Sequence, residues 1–306
     1  MGTQGLLQEA EEETLETGTL LAVYYRVLDY VGPCSFGSLY SGEHIQMGSR
    51  VAIRVLGSQW QFARSDEDVE RFRRAVRDAS VTCHPNIAQV FDAGRLADGR
   101  LFMVTEFLVG QNLYEEIQRN QYLPVARACR VLRDVARAVR AAHEVGVIHR
   151  DLKADNVMLV PLPGGDGDAV QVLDFGIAAW AEAETRKRKP GTFVATPEYM
   201  CPEQVQGRSA TPLFDVYALG VMLFEALVGE CPFAGSDGAF ILKSKVARAA
   251  PSLGQKLPGL PRRLVELVDD CLQMDPGLRP QSAREFLVRI DEVLRTLSRL
   301  SGPTPI

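Results

Sequence analysis

Apolar and polar positions change rhythm about a third of the way along this 306-residue chain. From Tyr24 to Glu106, short β-type runs alternate with turn residues, Leu39-Tyr40, Val51 to Leu56 and Leu101 to Thr105 among them. One helical stretch interrupts these runs, roughly Ser65 to Ser80. Ser65 is placed to cap it, and Asp66, Glu67 and Asp68 suit the positive end of a helix dipole. After Gly110 the pattern turns helical. Leu132, Val135, Val139 and Ala142 recur at helical spacing and predict an amphipathic helix over residues 125 to 145. Val157 to Val160 and Val170 to Leu173 flank a turn rich in Pro, Gly and Asp, which predicts a hairpin. Helical patterns return at Asp215 to Leu227, Arg262 to Met274 and Ser282 to Ser298. A β-rich lobe followed by a helical lobe is an α+β arrangement.

Composition narrows the class. The length suits two lobes around a shared cleft or one large domain. Apolar content of 46% and charge of 24% are those of a globular enzyme. A net charge of -5 gives no reason to expect nucleic-acid binding. Residues 1–18 carry Glu9, Glu11, Glu12, Glu13 and Glu16, and read as a mobile lead-in or a short helix docked on the first lobe. Cys34, Cys83, Cys129, Cys201, Cys231 and Cys271 show no CxxC pair. With no secretory signal at the start, they read as reduced thiols of a cytoplasmic protein. Val216 to Val228 is strongly apolar, but it contains Glu225 and is too short to cross a bilayer, so no membrane segment is expected.

The chemistry is concentrated in a few short runs. The first lysine of the chain is Lys153, inside His149-Arg150-Asp151-Leu152-Lys153-Ala154-Asp155-Asn156. Asp174-Phe175-Gly176 follows 23 residues after Asp151, and Thr196-Pro197-Glu198-Tyr199-Met200-Cys201-Pro202-Glu203 comes later. Upstream stand Gly32-Pro33-Cys34-Ser35-Phe36-Gly37-Ser38-Leu39 and Val51-Ala52-Ile53-Arg54. Motifs in this order resemble those of the Ser/Thr protein kinases, of the eukaryotic-like type found in bacteria. The resemblance covers about residues 25 to 298.

The resemblance implies a bilobal protein-kinase fold. Residues 19–108 would be the ATP-binding lobe, 109–299 the lobe with catalytic loop, activation segment and substrate platform, and 300–306 a tail. It implies transfer of the γ-phosphate of ATP to Ser or Thr hydroxyls of protein substrates, with Mg²⁺, or Mn²⁺ in its place, as the metal. Asp151 would accept the substrate proton and Lys153 neutralise charge on the transferring group, with Asn156 and Asp174 as metal ligands. Gly32 and Gly37 would belong to the phosphate-covering loop. Leu39 and Ala52 would roof the adenine pocket and Met158 floor it. Glu106 to Leu108 would offer backbone hydrogen bonds, with Thr105 behind them. Glu203 would pair with Arg279, and Asp215 would anchor the catalytic loop from beneath. Thr192 and Thr185 are candidate phosphosites beside Arg186, Lys187, Arg188 and Lys189, a cluster expected to repel Arg150 until a phosphothreonine bridges them.

Three departures stand out. Cys34 replaces the middle glycine of the phosphate loop, where a side chain weakens backbone approach to phosphate. Arg54 occupies the position of the strand lysine, and a planar fork is not a point charge. Counting back from His84-Pro85, the helix position of the usual glutamate partner falls on Ala75, with Asp78 the nearest acid one turn along. Two functions follow. One is a protein kinase of reduced efficiency; the other is a pseudokinase serving as a regulatory binding module, with or without nucleotide. A small-molecule kinase is a third class, disfavoured by the Thr196 to Glu203 segment. Substrate, upstream signal and oligomeric state are not legible. With no sensor domain in the sequence, the input would come from a partner, a ligand or the activation segment.

Overall fold

The computed structural model describes residues 14–57, 60, 65–80, 83–165, 167–188, 195–235 and 237–300. Most of the acidic lead-in and the tail from 301 therefore lie outside the described residues, as does Thr192. The chain divides into two compact units. The first takes the chain up to Cys83, Ala88–Val109 and a stretch opening at Phe175; the second takes His84–Ile87, Gly110–Asp174 and the chain from 191 onward.

The first unit opens with strands β1 (Leu20–Leu21), β2 (Tyr25–Cys34), β3 (Gly37–His44) and β4 (Ser49–Leu56). Helix α1 (Asp66–Ser80), β5 (Val90–Arg95) and β6 (Leu101–Glu106) follow. The strands form one antiparallel sheet in the order β1-β2-β3-β4-β6-β5. Val51, Ile53 and Val55 point to one face, where they pack with Tyr25, Val27, Tyr40, Phe102 and Val104. Strand alternation then turns Ala52 and Arg54 to the opposite face. Ser65 caps α1 as its pattern predicts: its hydroxyl accepts from the Asp68 amide at 3.2 Å, and the Asp68 carboxylate accepts from the Ser65 amide at 3.0 Å.

In the second unit β7 (Gln111–Asn112) leads into α2 (Leu113–Asn120), followed by α3 (Val125–Glu144), β8 (Val157–Pro161) and β9 (Asp168–Val172). The β8–β9 hairpin and β7 make a small antiparallel sheet. The first unit then regains the chain as α4 (Ile177–Arg188), a helix that the sequence pattern does not announce. The second unit is completed by α5 (Pro202–Val205), α6 (Leu213–Val228), α7 (Gly238–Ala247), α8 (Leu253–Lys256), α9 (Arg262–Cys271) and α10 (Ala283–Leu300).

Helix α6 organises this unit. Every residue from Phe214 to Leu227 is buried, so the helix is covered on all sides by protein. Its apolar run reflects that position; among the described residues no helix is long and apolar enough to cross a membrane. The helix α9 stops at Cys271, short of the expected Met274, and a turn then leads to Asp275-Pro276. The α6–α9 contact is backbone-close: a Cβ added at Gly220 would lie 2.4 Å from Cys271 Cβ. We expect Gly220→Val to cost about 1–3 kcal/mol by overpacking, visible in a thermal melt as a Tm lowered by several degrees.

Candidate active site

The constellation begins with one buried carboxylate. Asp215, in the first turn of α6, is 1% exposed. Its Oδ2 accepts from the His149 amide at 2.9 Å and meets His143 Nε2 at 2.8 Å, while Oδ1 accepts from the Arg150 amide at 3.0 Å. Burial alone would raise the Asp215 pKa, but the His143 hydrogen bond and charge, with His149 behind them, hold it below the usual carboxylate range. Two consecutive amides can converge on one carboxylate because Arg150 adopts a left-handed φ of 68°. His149 Nε2 donates to the Leu173 carbonyl at 2.8 Å, and the Leu173 amide donates to the Asn156 carbonyl at 2.8 Å. Gln204 Nε2 donates to the Arg150 carbonyl at 3.0 Å.

On this frame Asp151, Lys153 and Asn156 come together. Asn156 Nδ2 donates to the Asp151 carbonyl at 2.9 Å. Lys153 Nζ stands 3.6 Å from Asp151 Oδ2 and donates to Thr196 Oγ1 at 2.6 Å. The Thr196 amide donates to Asp151 Oδ1 at 3.1 Å, and its hydroxyl lies 3.3 Å from the same oxygen. The motif reading gave Thr196 no role of its own. A hydroxyl between lysine and carboxylate sets their separation, and its place just ahead of Pro197-Glu198 is the signal that could have identified it. Asp174, 8% exposed, follows Leu173 directly and takes a left-handed φ of 65°.

Beneath Thr196 the segment is pinned by buried polar pairs. Arg279 holds Glu203 in a two-pronged pair at 2.6 and 2.8 Å and donates to the Gln273 carbonyl at 2.9 Å. Tyr199 donates its hydroxyl to Glu225 Oε2 at 2.6 Å, and Lys245 Nζ donates to the Glu198 carbonyl at 2.7 Å. Burial pushes the Glu225 carboxyl up to about 7 against the stabilising Tyr199 hydrogen bond, and lowers Lys245 to about 8. Glu225 is thus the polar end of a buried pair; the sequence showed it as a charge inside an apolar run.

The first unit carries the remaining candidates. Arg54 lies on β4, 7% exposed, in register with Leu39 and Met103. Ala52 is in register with Ser41 and Thr105, and Gly32 with Leu39. Cys34 and Gly37 close the β2–β3 hairpin around Ser35-Phe36. Gly37 has a φ of 156°, and a Cβ there would fall 2.1 Å from the Val55 carbonyl oxygen, so the strand pair leaves no room for a side chain. The Glu106 amide donates to the Gln89 carbonyl at 3.0 Å, and Leu108 is half-buried. Ala75 sits half-buried on α1 with no polar atom to pair, and the Asp78 side chain lies outside the described residues. Met158 belongs to β8 in the second unit, in register with Asn112 and Gln171. Thr185 is on α4 and only 6% exposed.

Could Asn156 and Asp174 hold Mg²⁺? Among the described residues no group of three or more His, Cys, Asp or Glu is arranged around a common metal position. Mg²⁺ at a phosphoryl-transfer site takes one or two protein oxygens and completes its shell with water and phosphate oxygens. A carboxylate and a carboxamide whose nitrogen is committed to the Asp151 carbonyl fit that donor set.

Comparison with known proteins gives the same direction. Residues 25–289 match the family model described as "Protein kinase domain". The chain is 31% identical over 290 residues to the serine/threonine-protein kinase pkn3 of Myxococcus xanthus, covering 93% of this chain and 52% of that protein. It is 32% identical over 273 residues to PknA of Mycobacterium tuberculosis, covering 88% of this chain and 61% of the relative. With the protein described as probable serine/threonine-protein kinase PknB of Lactococcus lactis, identity is 33% over 277 residues, covering 90% of this chain and 43% of the relative. The chain therefore spans 43% to 61% of the length of these relatives.

The raised Glu225 pKa has a testable consequence for stability. The folded state binds a proton on Glu225 that the unfolded chain, near 4.5, has already released. Stability should therefore fall as pH rises from about 4.5 to about 7, and level off above. Glu225→Gln keeps an acceptor for Tyr199 and removes the titration. Denaturant melts across this range should show the variant gaining on the parent protein as pH rises; parallel pH profiles would contradict the assignment.

Proposed function

The chain belongs to the protein kinase family, and we propose that it transfers the γ-phosphoryl group of Mg·ATP to Ser or Thr hydroxyls of protein substrates. The observation that carries this reading is the Asp151–Lys153–Thr196 arrangement locked onto Asp215. Bound Mg·ATP would supply the phosphoryl group and the metal's charge neutralisation. The chain's own residues do the rest. Asp151 orients the acceptor hydroxyl and takes its proton; Lys153 offsets negative charge as the phosphoryl group moves. Asn156 and Asp174 provide the metal's protein oxygens. The platform from Thr196 to Glu203 is held rigidly enough, by Arg279 and Glu225, to position a peptide.

In the first unit, Arg54 keeps a cation on the β4 position where the family places lysine. It retains charge for phosphate while changing its geometry. Arg54 and Ala75 together favour the second reading, a pseudokinase that binds a partner or a nucleotide without turnover.

The deciding measurement is transfer of labelled γ-phosphate from Mg·ATP, and separately Mn·ATP, to the protein itself and to a generic protein substrate. Asp151→Asn should lower transfer by about 10²- to 10⁴-fold, and Arg54→Met by up to about 10²- to 10³-fold. Equal background in the parent protein and in Asp151→Asn would establish the pseudokinase reading.

A further inference from the structure

Helix α7 carries two lysines with opposite fates: Lys243 stands in solvent, and Lys245 is 0% exposed. A lysine is almost never buried completely unless an acid pairs with it. Lys245 makes no ion pair among the described residues. Its ammonium donates to the Glu198 carbonyl at 2.7 Å and lies over the rings of Tyr217 and Phe233, 5.1 and 5.0 Å from their centroids. The rings replace part of the lost hydration, yet burial still lowers the Lys245 pKa to about 8. An apolar side chain of the same length would fill this space without that cost. What the lysine adds is one strong donor aimed at one backbone carbonyl.

That carbonyl lies between two anchored residues. Thr196 is tied to Asp151 and Lys153, and Tyr199 to Glu225. The Tyr199 amide closes a turn onto the Thr196 carbonyl at 3.0 Å. Pro197 and Glu198, at the centre of this turn, are both met by α7. At the helix start, a Cβ added to Gly238 would lie 3.3 Å from Pro197 Cγ. Lys245 is two turns further on, and helix side chains lean toward the N-terminus, so its ammonium reaches back to Glu198. The Tyr217 ring also carries Arg279, whose guanidinium carbon is 4.9 Å from the centroid and whose nitrogens grip Glu203. One ring on α6 thus seats two cations, which hold the platform at Glu198 and at Glu203.

We propose that Lys245 is a positioning residue for the protein substrate: by holding the Glu198 carbonyl, it fixes the Thr196–Tyr199 turn on which the substrate chain beside its acceptor hydroxyl lies. The proposal deepens the kinase reading above and rests on it for the effect on transfer, but not for the structural effect. Without the ammonium, the Glu198 carbonyl is left unpaired and turns toward water, loosening the turn while the hydrophobic core around α6 stays filled.

Lys245→Met removes the donor and keeps the length; Lys243→Met, on the exposed side of the same helix, is the control. Hydrogen–deuterium exchange on the full chain at pH 7 should show the Thr196 and Tyr199 amides exchanging at least about tenfold faster in Lys245→Met. The α6 amides should keep their parent rates, the Tm should stay within a few degrees of the parent value, and Lys243→Met should match the parent throughout. For a protein substrate, kcat/KM should fall about tenfold in Lys245→Met, with KM for ATP unchanged. Unchanged exchange at Thr196 and Tyr199, or unchanged kcat/KM in an active enzyme, overturns the proposal. Loss of the fold in Lys245→Met, or α6 amides loosened with the rest, makes Lys245 a core residue and overturns it too. Exchange that moves as stated, with no transfer in any form of the protein, leaves the support of the turn standing and removes the kinase reading.

Discussion

A charged carboxylate buried in α6 is the constraint from which the loop from His149 to Asn156 follows. Asp215 is almost wholly inaccessible, and an ionised group in such a place costs several kcal/mol unless donors surround it. The amides of His149 and Arg150 and the ring of His143 supply those donors. Supplying two adjacent amides forces Arg150 into the left-handed region, which costs a non-glycine residue about 1–2 kcal/mol. The strain persists because releasing it would strand the carboxylate. Asp151 is the next residue, so its direction is set by the bargain struck at Arg150. His149 then reaches the Leu173 carbonyl and ties the approach to Asp174 into the same frame.

How much of this could be read from the sequence depends on how locally each feature is encoded. The grouping of Asp151, Lys153 and Asn156 was legible because they stand at short spacings within one run, where Asn156 can reach the Asp151 carbonyl and Lys153 its carboxylate. Ser65 was legible because a cap is a local event, completed by Asp68 three residues on. Helix α4 was not, because its Ile177-Ala178-Ala179-Trp180 start carries no stripe of period 3.6 and its burial comes from α1, distant in sequence. The short α2 was missed although Asn112 and Glu115 form a capping box, since eight residues give periodicity little to work on. The end of α9 was overextended for a related reason. Leu272 to Met274 are apolar enough to continue the helix, but Pro276 restricts the residue before it, and Arg279 draws on the Gln273 carbonyl. Glu225 lacked a signal because its partner, Tyr199, stands 26 residues away in sequence.

The tension between the two units is the remaining question, and magnitudes bear on it. Losing one well-placed charge-stabilising donor lowers a rate by about 10²- to 10³-fold, and kinases turn over at about 1–100 s⁻¹. Full loss of the β4 cation's contribution would still leave about 10⁻³ to 1 s⁻¹, and Arg54 retains the charge. The second unit also holds together features that the proposed phosphoryl transfer would use: a lysine hydrogen-bonded to Thr196 and a carboxylate that accepts from the same threonine. A binding module needs a folded platform, which Glu203 and Arg279 already provide. It does not need Lys153 within 3.6 Å of Asp151. If the proposed transfer holds, these magnitudes make it slow rather than absent, with Arg54 as the buried cation on β4 and Ala75 on an α1 helix that α4 engages.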